Sequence, residues 1–362
     1  MDLKMDWFQK STLGLLMALS CSALIRFALL LDINKHVFNH KPGQCKTIKD
    51  FNDGSPYMEF VEELGLVFIS HGGFKRTFGF PISGKILMYK FSDENKACDS
   101  EPVELKIVAS NNTFLLNTFT PLGISAHVSN KRTTLYVVNA ANQSVEIFSY
   151  NIKDNTLLHL QTIKDQVFTS LSDIAVVSAG KFFVTNMFYS NRKWTQLAEM
   201  LMHLHIGSLI FYDGKKAEIL EKGLLTPNGL AIDRERSFLY TIKSFKLERD
   251  LSLRPMNEMA IMSSVDQIYV DNKTGDLWLA AHPIFSKTIS HFYNQKLPSP
   301  SHVLHLRFHD GHASWTITEP FANDGQSGIS AVASVVEFGN QMIIGSRLGK
   351  TICCQINAKN LV

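Results

Sequence analysis

The sequence predicts an all-β protein, in which a six-bladed β-propeller follows an N-terminal hydrophobic membrane anchor. Three observations lead to this prediction. Beyond residue 45, short strand patterns are frequent and helix-period patterns are scarce. One strand–turn–strand unit recurs six times, at intervals of about 40–65 residues, as in propeller blades. An apolar run of near-spanning length lies close to the N-terminus.

The composition is that of a folded chain without a strong charge bias. The 362 residues are 45% apolar and only 19% charged, which excludes an intrinsically disordered chain. Lys and Arg number 36 against 33 Asp and Glu, so the net charge is +3 and no nucleic-acid partner is predicted. Five cysteines are too few for a disulfide scaffold and lack the C-x-x-C spacing of zinc sites.

The N-terminal segment is predicted to be a signal-anchor over residues 12–31, preceded by a short tail at residues 1–11. An uncharged run ends at Ile25, and after Arg26 the apolar residues resume up to Leu31. This length is close to the roughly 20 residues that cross a bilayer core. Arg26 lies toward the end of the run, where its side chain can reach the headgroups.

Two alternatives to an anchor remain open for this segment. A cleaved signal peptide would use the small residues at 21–23 as its cleavage site, and a helix buried in a soluble protein would need no membrane. The anchor and the signal peptide both deliver the following chain to the secretory lumen or the cell exterior. Glycosylation sequons in polar, turn-like stretches agree with that location; they lie at Asn111, Asn142 and Asn272.

The recurring unit consists of a short apolar strand, a turn rich in Gly, Asn and Lys, and a second strand with aromatic residues. Its copies lie at residues 54–70, 122–139, 172–185, 228–241, 266–280 and 330–346. Outer strands fit between them, for example at residues 85–90, 145–150 and 208–212. Together these predict one continuous propeller over residues 45–358.

The residues that open each unit should gather around one axis at one end of the propeller. They are Pro56, Leu122, Ser172, Asn228, Asp266 and Gln267. A ring of inward-facing oxygens can hold a hard cation such as calcium. This ring is only partly suited to that role, because Asp266 is its single carboxylate.

A helical pattern interrupts the strands at residues 194–204. Apolar residues there recur at Trp194, Leu197, Met200, Leu201 and Leu204, which places them on one helical face. That face either packs over the mouth of the propeller or presents a surface to a membrane or a partner.

Specific motifs in these units resemble the paraoxonase family of calcium-dependent lactonases and arylesterases. They are PLGIS at 121–125, YVVN at 136–139, LLHLQTIK at 157–164, SDIA at 172–175, PNGLAID at 227–233, VDNKTGDLW at 270–278, HP at 282–283 and GSRLGKTICC at 345–354. The resemblance covers nearly the whole chain in order. It implies a six-bladed propeller with two calcium ions in its channel and an uncleaved N-terminal segment.

The resemblance also implies a disulfide that closes the ring of blades. Its cysteines correspond to Cys45 and Cys354, with Cys353 as a competing partner. This assignment leaves Cys98 unpaired and places Cys21 in the apolar segment. A bond between such distant cysteines would restrict the unfolded chain strongly.

The calcium ligands that the resemblance implies are largely replaced in this chain. In the family a Glu, an Asp and three Asn hold the catalytic calcium; here those positions are Pro56, Asp266, Ser172, Asn228 and Gln267. A second calcium uses two Asp, of which one is Tyr57 here and the other is retained as Asp173. Because calcium affinity follows the number and charge of the ligands, calcium binding is expected to be weakened.

The histidine pair that the resemblance implies for activating water is replaced as well. Its positions are Leu122 and Ala140, and neither side chain can accept a proton. His282 belongs to a different motif of the family.

Two functions follow from this reading. The first is a catalytically inactive, membrane-anchored chaperone or accessory subunit for a membrane protein. It resembles the nematode paraoxonase-like proteins that assist degenerin/epithelial sodium channels, which implies residence in the endoplasmic reticulum or the plasma membrane. The alternative is a calcium-dependent arylesterase or lactonase that uses Asn228, Asp266 and Gln267 with a different base.

Overall fold

A computed structural model describes most of the chain. The described residues are 6–30, 32, 35–49, 51–92, 98–109, 114–202, 204–241, 243–259, 261–326 and 328–357.

Helix α1 spans Trp7–Leu30 and stands apart from the rest of the protein. Its apolar window, Trp7–Arg26, buries no residue against the described part of the chain, which rules out a buried soluble helix. At 1.5 Å per residue its 24 residues extend about 36 Å, enough to cross a hydrocarbon core of about 30 Å. The helix could therefore be a membrane anchor or a signal sequence.

The strands form six sheets, and each sheet is one blade of a propeller. Strand β1, at Cys45–Thr47, precedes the first blade. Blade 1 contains Tyr57–Val61 (β2), Leu66–His71 (β3), Lys85–Lys90 (β4) and Val103–Glu104 (β5). Blade 2 contains Lys106–Ala109 (β6), Pro121–Ser129 (β7), Arg132–Asn139 (β8), Ser144–Asn151 (β9) and Thr156–Ile163 (β10).

The other blades have four strands each. Blade 3 contains Leu171–Ser178 (β11), Lys181–Asn186 (β12), Gly207–Tyr212 (β13) and Ala217–Leu224 (β14). Blade 4 contains Ala231–Ile232 (β15), Phe238–Tyr240 (β16), Lys243–Leu247 (β17) and Leu253–Glu258 (β18). Blade 5 contains Ser264–Val270 (β19), Leu277–His282 (β20), Ser301–His309 (β21) and Ser314–Asn323 (β22). Blade 6 contains Val332–Phe338 (β23), Gln341–Ser346 (β24), Thr351–Gln355 (β25) and β1.

The six sequence units thus form the two inner strands of the six blades, as predicted. Within each blade the neighbouring strands are antiparallel, except that β6 adds to β10 in parallel. The second strands β3, β20 and β24 are buried along their whole length, because both faces of each pack against other blades. Apolar residues fill most of the space between the blades.

Three further helices follow the second strands of alternate blades. They are α2 at Gly73–Thr77, α3 at Lys193–Leu201 and α4 at Phe285–Tyr293. The second strand of a blade runs antiparallel to the innermost strand, so it ends where the innermost strand begins. The three helices therefore surround one mouth of the channel.

The ring is closed by pairing the first strand with the last. Strand β1 adds to β25 antiparallel, with Cys45 directly opposite Cys354, and these two residues form a disulfide. A second disulfide joins Cys98 to Cys353, so the expectation that Cys98 is unpaired is wrong. Consecutive residues of a strand point to opposite faces, so Cys354 shares with Cys45 the face that packs on blade 5, while Cys353 faces blade 1. Cys21 is the free, exposed cysteine of the described residues.

We predict that single cysteine substitutions release specific partners. In a Cys21→Ala background, Cys353→Ala should free the Cys98 thiol and Cys354→Ala should free Cys45. Each should lower the free energy of unfolding by about 2–5 kcal/mol, because the unfolded chain loses a cross-link. Alkylation of the unreduced, denatured variants followed by peptide mapping identifies the released thiol. Labelling of Cys45 in the Cys353→Ala variant would contradict the observed pairing.

Candidate functional site

A cleft of about 640 Å³ opens at the mouth that α2, α3 and α4 surround. Its wall is mostly apolar and rich in aromatic side chains, which include Phe74, Phe78, Phe188, Phe292 and Tyr293. Leu122 and Ala140, the positions of the implied histidine pair, both line this cleft. The sequence motifs thus locate the cleft correctly, but its walls at these positions are apolar.

The floor of the cleft holds a buried ion pair between Arg347 and Asp266. Their side chains are only 4% and 5% exposed. Nε of Arg347 donates to Oδ2 of Asp266 at 2.6 Å, and Nη2 of Arg347 donates to Oδ1 of the same carboxylate. Such a two-bonded pair is the strong, directional form of the Arg–carboxylate interaction.

Two further side chains complete the shell of Asp266. Nε2 of His282 lies 2.8 Å from Oδ2, and Nδ2 of Asn228 donates to Oδ1 at 2.5 Å. The carboxylate therefore accepts four hydrogen bonds, which uses about all of its lone-pair sites. Burial by itself would raise the pKa of Asp266, but the charges of Arg347 and His282 outweigh it and hold this pKa at about 2.

A second chain of hydrogen bonds continues across the channel from Asn228. Its Oδ1 accepts from the hydroxyls of Tyr57 and Ser172, each at 2.5 Å. The two hydroxyls are 2.6 Å apart. Burial raises the pKa of Tyr57, so its hydroxyl keeps its proton and can act as a donor.

The turn that follows β24 directs Arg347 into the channel. Oγ of Ser346 accepts the main-chain N–H groups of Leu348 and Gly349, and the N–H of Arg347 bonds to the carbonyl of Ala331. Gly54 allows the carbonyl of Arg347 to come close, because a Cβ at position 54 would lie 2.1 Å from that oxygen. The backbone of Gly54 also has a positive φ of 87°, which favours glycine.

Aromatic rings cover the side of the guanidinium that faces the cleft. The guanidinium carbon lies 4.5 Å from the ring centre of Phe74 and 5.7 Å from that of Phe292. Both distances are within the range of cation–π attraction. The Arg347 charge is thus satisfied by Asp266 on one side and shielded by aromatic rings on the other.

This arrangement does not fit the catalytic calcium that the family resemblance implies. A calcium site needs several free oxygens, usually with more than one carboxylate. Here Asp266 is saturated by nitrogen donors, and Oδ1 of Asn228 already accepts two hydroxyl protons. The described residues contain no group of three or more His, Cys, Asp or Glu side chains that could hold a metal.

Gln267 and Asp173 lie in the channel, where their side chains form hydrogen bonds with main-chain groups. The amide of Gln267 pairs with the main chain of Met58, from which it accepts at 3.3 Å and to which it donates at 2.5 Å. The two oxygens of Asp173 accept the N–H groups of Ile174 and Leu230, each at 2.9 Å. Burial raises the pKa of Asp173 well above its usual range, although these two bonds act in the opposite direction. The Gln267 contacts join blades 5 and 1 across the channel, and the bond from Leu230 to Asp173 joins the neighbouring blades 3 and 4.

Sequence reasoning did not single out two residues of the channel, Arg347 and Glu59. Arg347 belongs to the motif at residues 345–354. The sequence feature that could have indicated it is a single charged residue directly after the apolar strand β24. Glu59 sits on β2 toward the other end of the channel, where its Oε1 accepts the N–H of Ala126 at 2.9 Å. Burial raises the pKa of Glu59 to about 7, against the hydrogen bonds from Ala126 and Ser125.

The predicted helix at the mouth is present as α3. Part of its apolar face packs over the mouth of the propeller, and part of it is exposed to solvent. Leu197, Met200 and Leu201 are half-buried, and Met200 lines the cleft. Trp194 remains 69% exposed. Leu204 also faces solvent, but it lies beyond the end of α3 at Leu201, so the helix is shorter than the predicted pattern at residues 194–204. The helix therefore both covers the mouth and presents a large apolar side chain outside it.

The structure describes two of the three sequons. Asn142 and Asn272 lie in turns and are partly accessible, and Asn111 lies outside the described residues.

Comparison with known proteins gives relatives over almost the full length. A family model described as arylesterase matches residues 37–356. Mechanosensory abnormality protein 6 of Caenorhabditis elegans is 35% identical over 348 residues, which cover 92% of each chain. Human serum paraoxonase/arylesterase 2 is 27% identical over 360 residues, covering 95% of this chain and 98% of its own.

Among solved structures, a luciferin-regenerating enzyme superposes with a TM-score of 0.52 at 12% identity and covers 86% of this chain and 95% of its own. Regucalcin from Agrobacterium tumefaciens superposes with a TM-score of 0.50 at 10% identity, covering 88% and 94%. At these identities the likeness supports the fold alone.

We predict that Glu59→Gln stabilises the protein at alkaline pH. The pKa of Glu59 is raised on folding, so folding takes up a proton and the wild type loses stability as the pH rises toward and through about 7. At pH 8 the variant should gain up to about 3 kcal/mol in free energy of unfolding, and the gain should shrink toward zero at pH 4.

The measurement is chemical denaturation at several pH values. Glu63→Gln, at an exposed position after β2, controls for the change in net charge. A gain from Glu59→Gln that is equal at pH 4 and pH 8 would contradict the prediction.

Proposed function

The chain belongs to the arylesterase family, and on this premise we propose that it is a membrane-anchored binding protein instead of a hydrolase. The observation that carries the proposal is the ion pair of Arg347 with Asp266 at the floor of the cleft. Calcium-assisted hydrolysis needs a cation with open coordination positions that can polarise the substrate. A guanidinium held by two hydrogen bonds and covered by Phe74 offers no such position.

The walls of the cleft also lack a base where the family resemblance would place one. Leu122 and Ala140 cannot take a proton from water. His282 is 2% exposed and its Nε2 is engaged by Asp266, so it is not positioned to activate water in the cleft. These features support a loss of the ester- and lactone-cleaving chemistry.

The rim of the cleft offers an apolar surface for a partner. Trp194 is 69%, Tyr189 73% and Tyr293 62% exposed around the same mouth. Large aromatic residues of this kind are typical anchors of protein interfaces. Helix α1 would hold this surface close to a membrane, which favours a membrane protein as the partner.

A degenerin-type sodium channel is the partner class that we propose. It is motivated by the resemblance to the nematode paraoxonase-like proteins, and the relative of Caenorhabditis elegans at 35% identity is named for a mechanosensory abnormality. In this proposal the propeller lies in the lumen of the endoplasmic reticulum or outside the cell, and it assists folding, assembly or surface activity of the channel as a chaperone or accessory subunit. The alternative, a calcium-dependent hydrolase with an altered site, is tested by the first experiment below.

We expect the purified full-length chain to show no hydrolysis above background on a panel of aryl esters and lactones. The double variant Leu122→His/Ala140→His should also be inactive, because Arg347 and Asp266 still occupy the floor of the cleft. Human serum paraoxonase/arylesterase 2 serves as the family control for the panel. Turnover by the wild type that calcium stimulates would overturn the proposal and favour the alternative.

We expect Trp194→Glu to weaken partner binding without unfolding the propeller. Co-expression with a degenerin-type channel, followed by co-precipitation and measurement of channel current, should show at least a tenfold loss of recovered complex or of added current, as for an interface anchor. Ile152→Glu is the matched control, because Ile152 is 59% exposed in the turn after β9, at the opposite end of the propeller. Equal behaviour of the two variants would exclude the rim as the binding surface.

A further inference from the structure

The buried pair of Arg347 and Asp266 links most blades of the propeller. Arg347 follows the second strand of blade 6, and Asp266 lies on the innermost strand of blade 5. Asn228 precedes blade 4, Ser172 belongs to blade 3 and Tyr57 to blade 1. One continuous set of hydrogen bonds therefore reaches five of the six blades among the described residues.

The charges of this network balance without an ion from solution. Asp266 is the one carboxylate that Arg347 contacts, and the guanidinium supplies one positive charge to match it. A buried charge without a partner is strongly destabilising, whereas a fully hydrogen-bonded pair is tolerated. A divalent cation at the same place would leave an excess positive charge, because Pro56 and Tyr57 stand where the family resemblance implies further carboxylates.

We propose that Arg347 is a built-in substitute for a bound calcium ion, so that the propeller assembles and stays folded without divalent metal. The guanidinium occupies the axis of the channel, neutralises Asp266 and holds the inner strands through it. Its planar, two-bonded geometry orients the carboxylate toward blade 6, and Phe74 and Phe292 close the remaining side. This inference is independent of the proposed partner and concerns what holds the fold together.

The same chain provides a matched control for the role of burial. Arg307 also makes two hydrogen bonds to one carboxylate, from Nε and Nη2 to Oδ2 of Asp276. Its side chain is 56% exposed at the outer side of blade 5, whereas that of Arg347 is 4% exposed. Water screens the exposed guanidinium of Arg307, which weakens this pair, while Asp276 is 7% exposed and also contacts Nε2 of His305 at 2.9 Å.

The first test uses the wild-type, full-length chain in detergent. Thermal unfolding is followed with about 2 mM calcium and with excess chelator, which spans the range of extracellular calcium sites. We expect the two unfolding midpoints to agree within about 1 °C and metal analysis to find no stoichiometric calcium. A fall of more than about 3 °C in chelator, or one calcium per chain after purification, would overturn the proposal.

The second test compares Arg347→Met with Arg307→Met. The first should lower the unfolding midpoint by roughly 5–10 °C, because the buried Asp266 carboxylate loses its guanidinium partner and two of its four hydrogen bonds, and the second by less than about 2 °C. Adding Asp266→Asn to Arg347→Met should recover at least half of the loss, since the buried carboxylate charge is then gone. Equal effects of the two single variants, or no recovery in the double variant, would contradict the role of Arg347. If Arg347→Met does not fold, the wild-type test still decides.

Discussion

The neutralisation of one buried carboxylate governs the centre of this structure. In a propeller the innermost strands of neighbouring blades do not hydrogen-bond to one another, so the axis is held by side chains. Here Asp266 lies on that axis with donors from Arg347, His282 and Asn228 around it. Removing any one of these donors would leave buried polar atoms without a hydrogen-bond partner. The geometry of the cleft floor and the mutual placement of the blades both depend on this arrangement.

The cleft above this floor is lined by apolar side chains at the two positions where the family resemblance implies histidines. It lies at one mouth of the channel, and α2, α3 and α4 surround it. Apolar side chains at Leu122 and Ala140 and the aromatic rings of Phe74 and Phe292 make the interior suited to contact with apolar groups. The propeller fold is thus present together with an apolar cleft wall.

The sequence was informative where structure depends on local patterns and less so where it depends on distant contacts. All six strand–turn–strand units could be predicted, because alternation and turn residues occur within short stretches of sequence. The closing bond of Cys45 with Cys354 was implied by the family resemblance, with Cys353 left as a competing partner. The partner of Cys98 could not be predicted, since it depends on which face of β25 meets blade 1. The inward position of Arg347 could not be predicted from the local pattern either. A charged residue after a strand is ordinarily solvated, and only the turn at Ser346 sends this one inward.

The closure of the ring by its two ends determines when the protein can finish folding. Cys45 and Cys354 are 309 residues apart, so β1 has no partner strand until almost the whole propeller has been synthesised. At 5–20 residues per second this wait lasts about 15–60 s. Only 14 residues separate α1 from β1, a reach of at most about 50 Å when fully extended. If α1 stays in the bilayer, β1 remains unpaired close to the membrane surface while the other blades form. The last blade is then completed at that surface, when β25 pairs with β1.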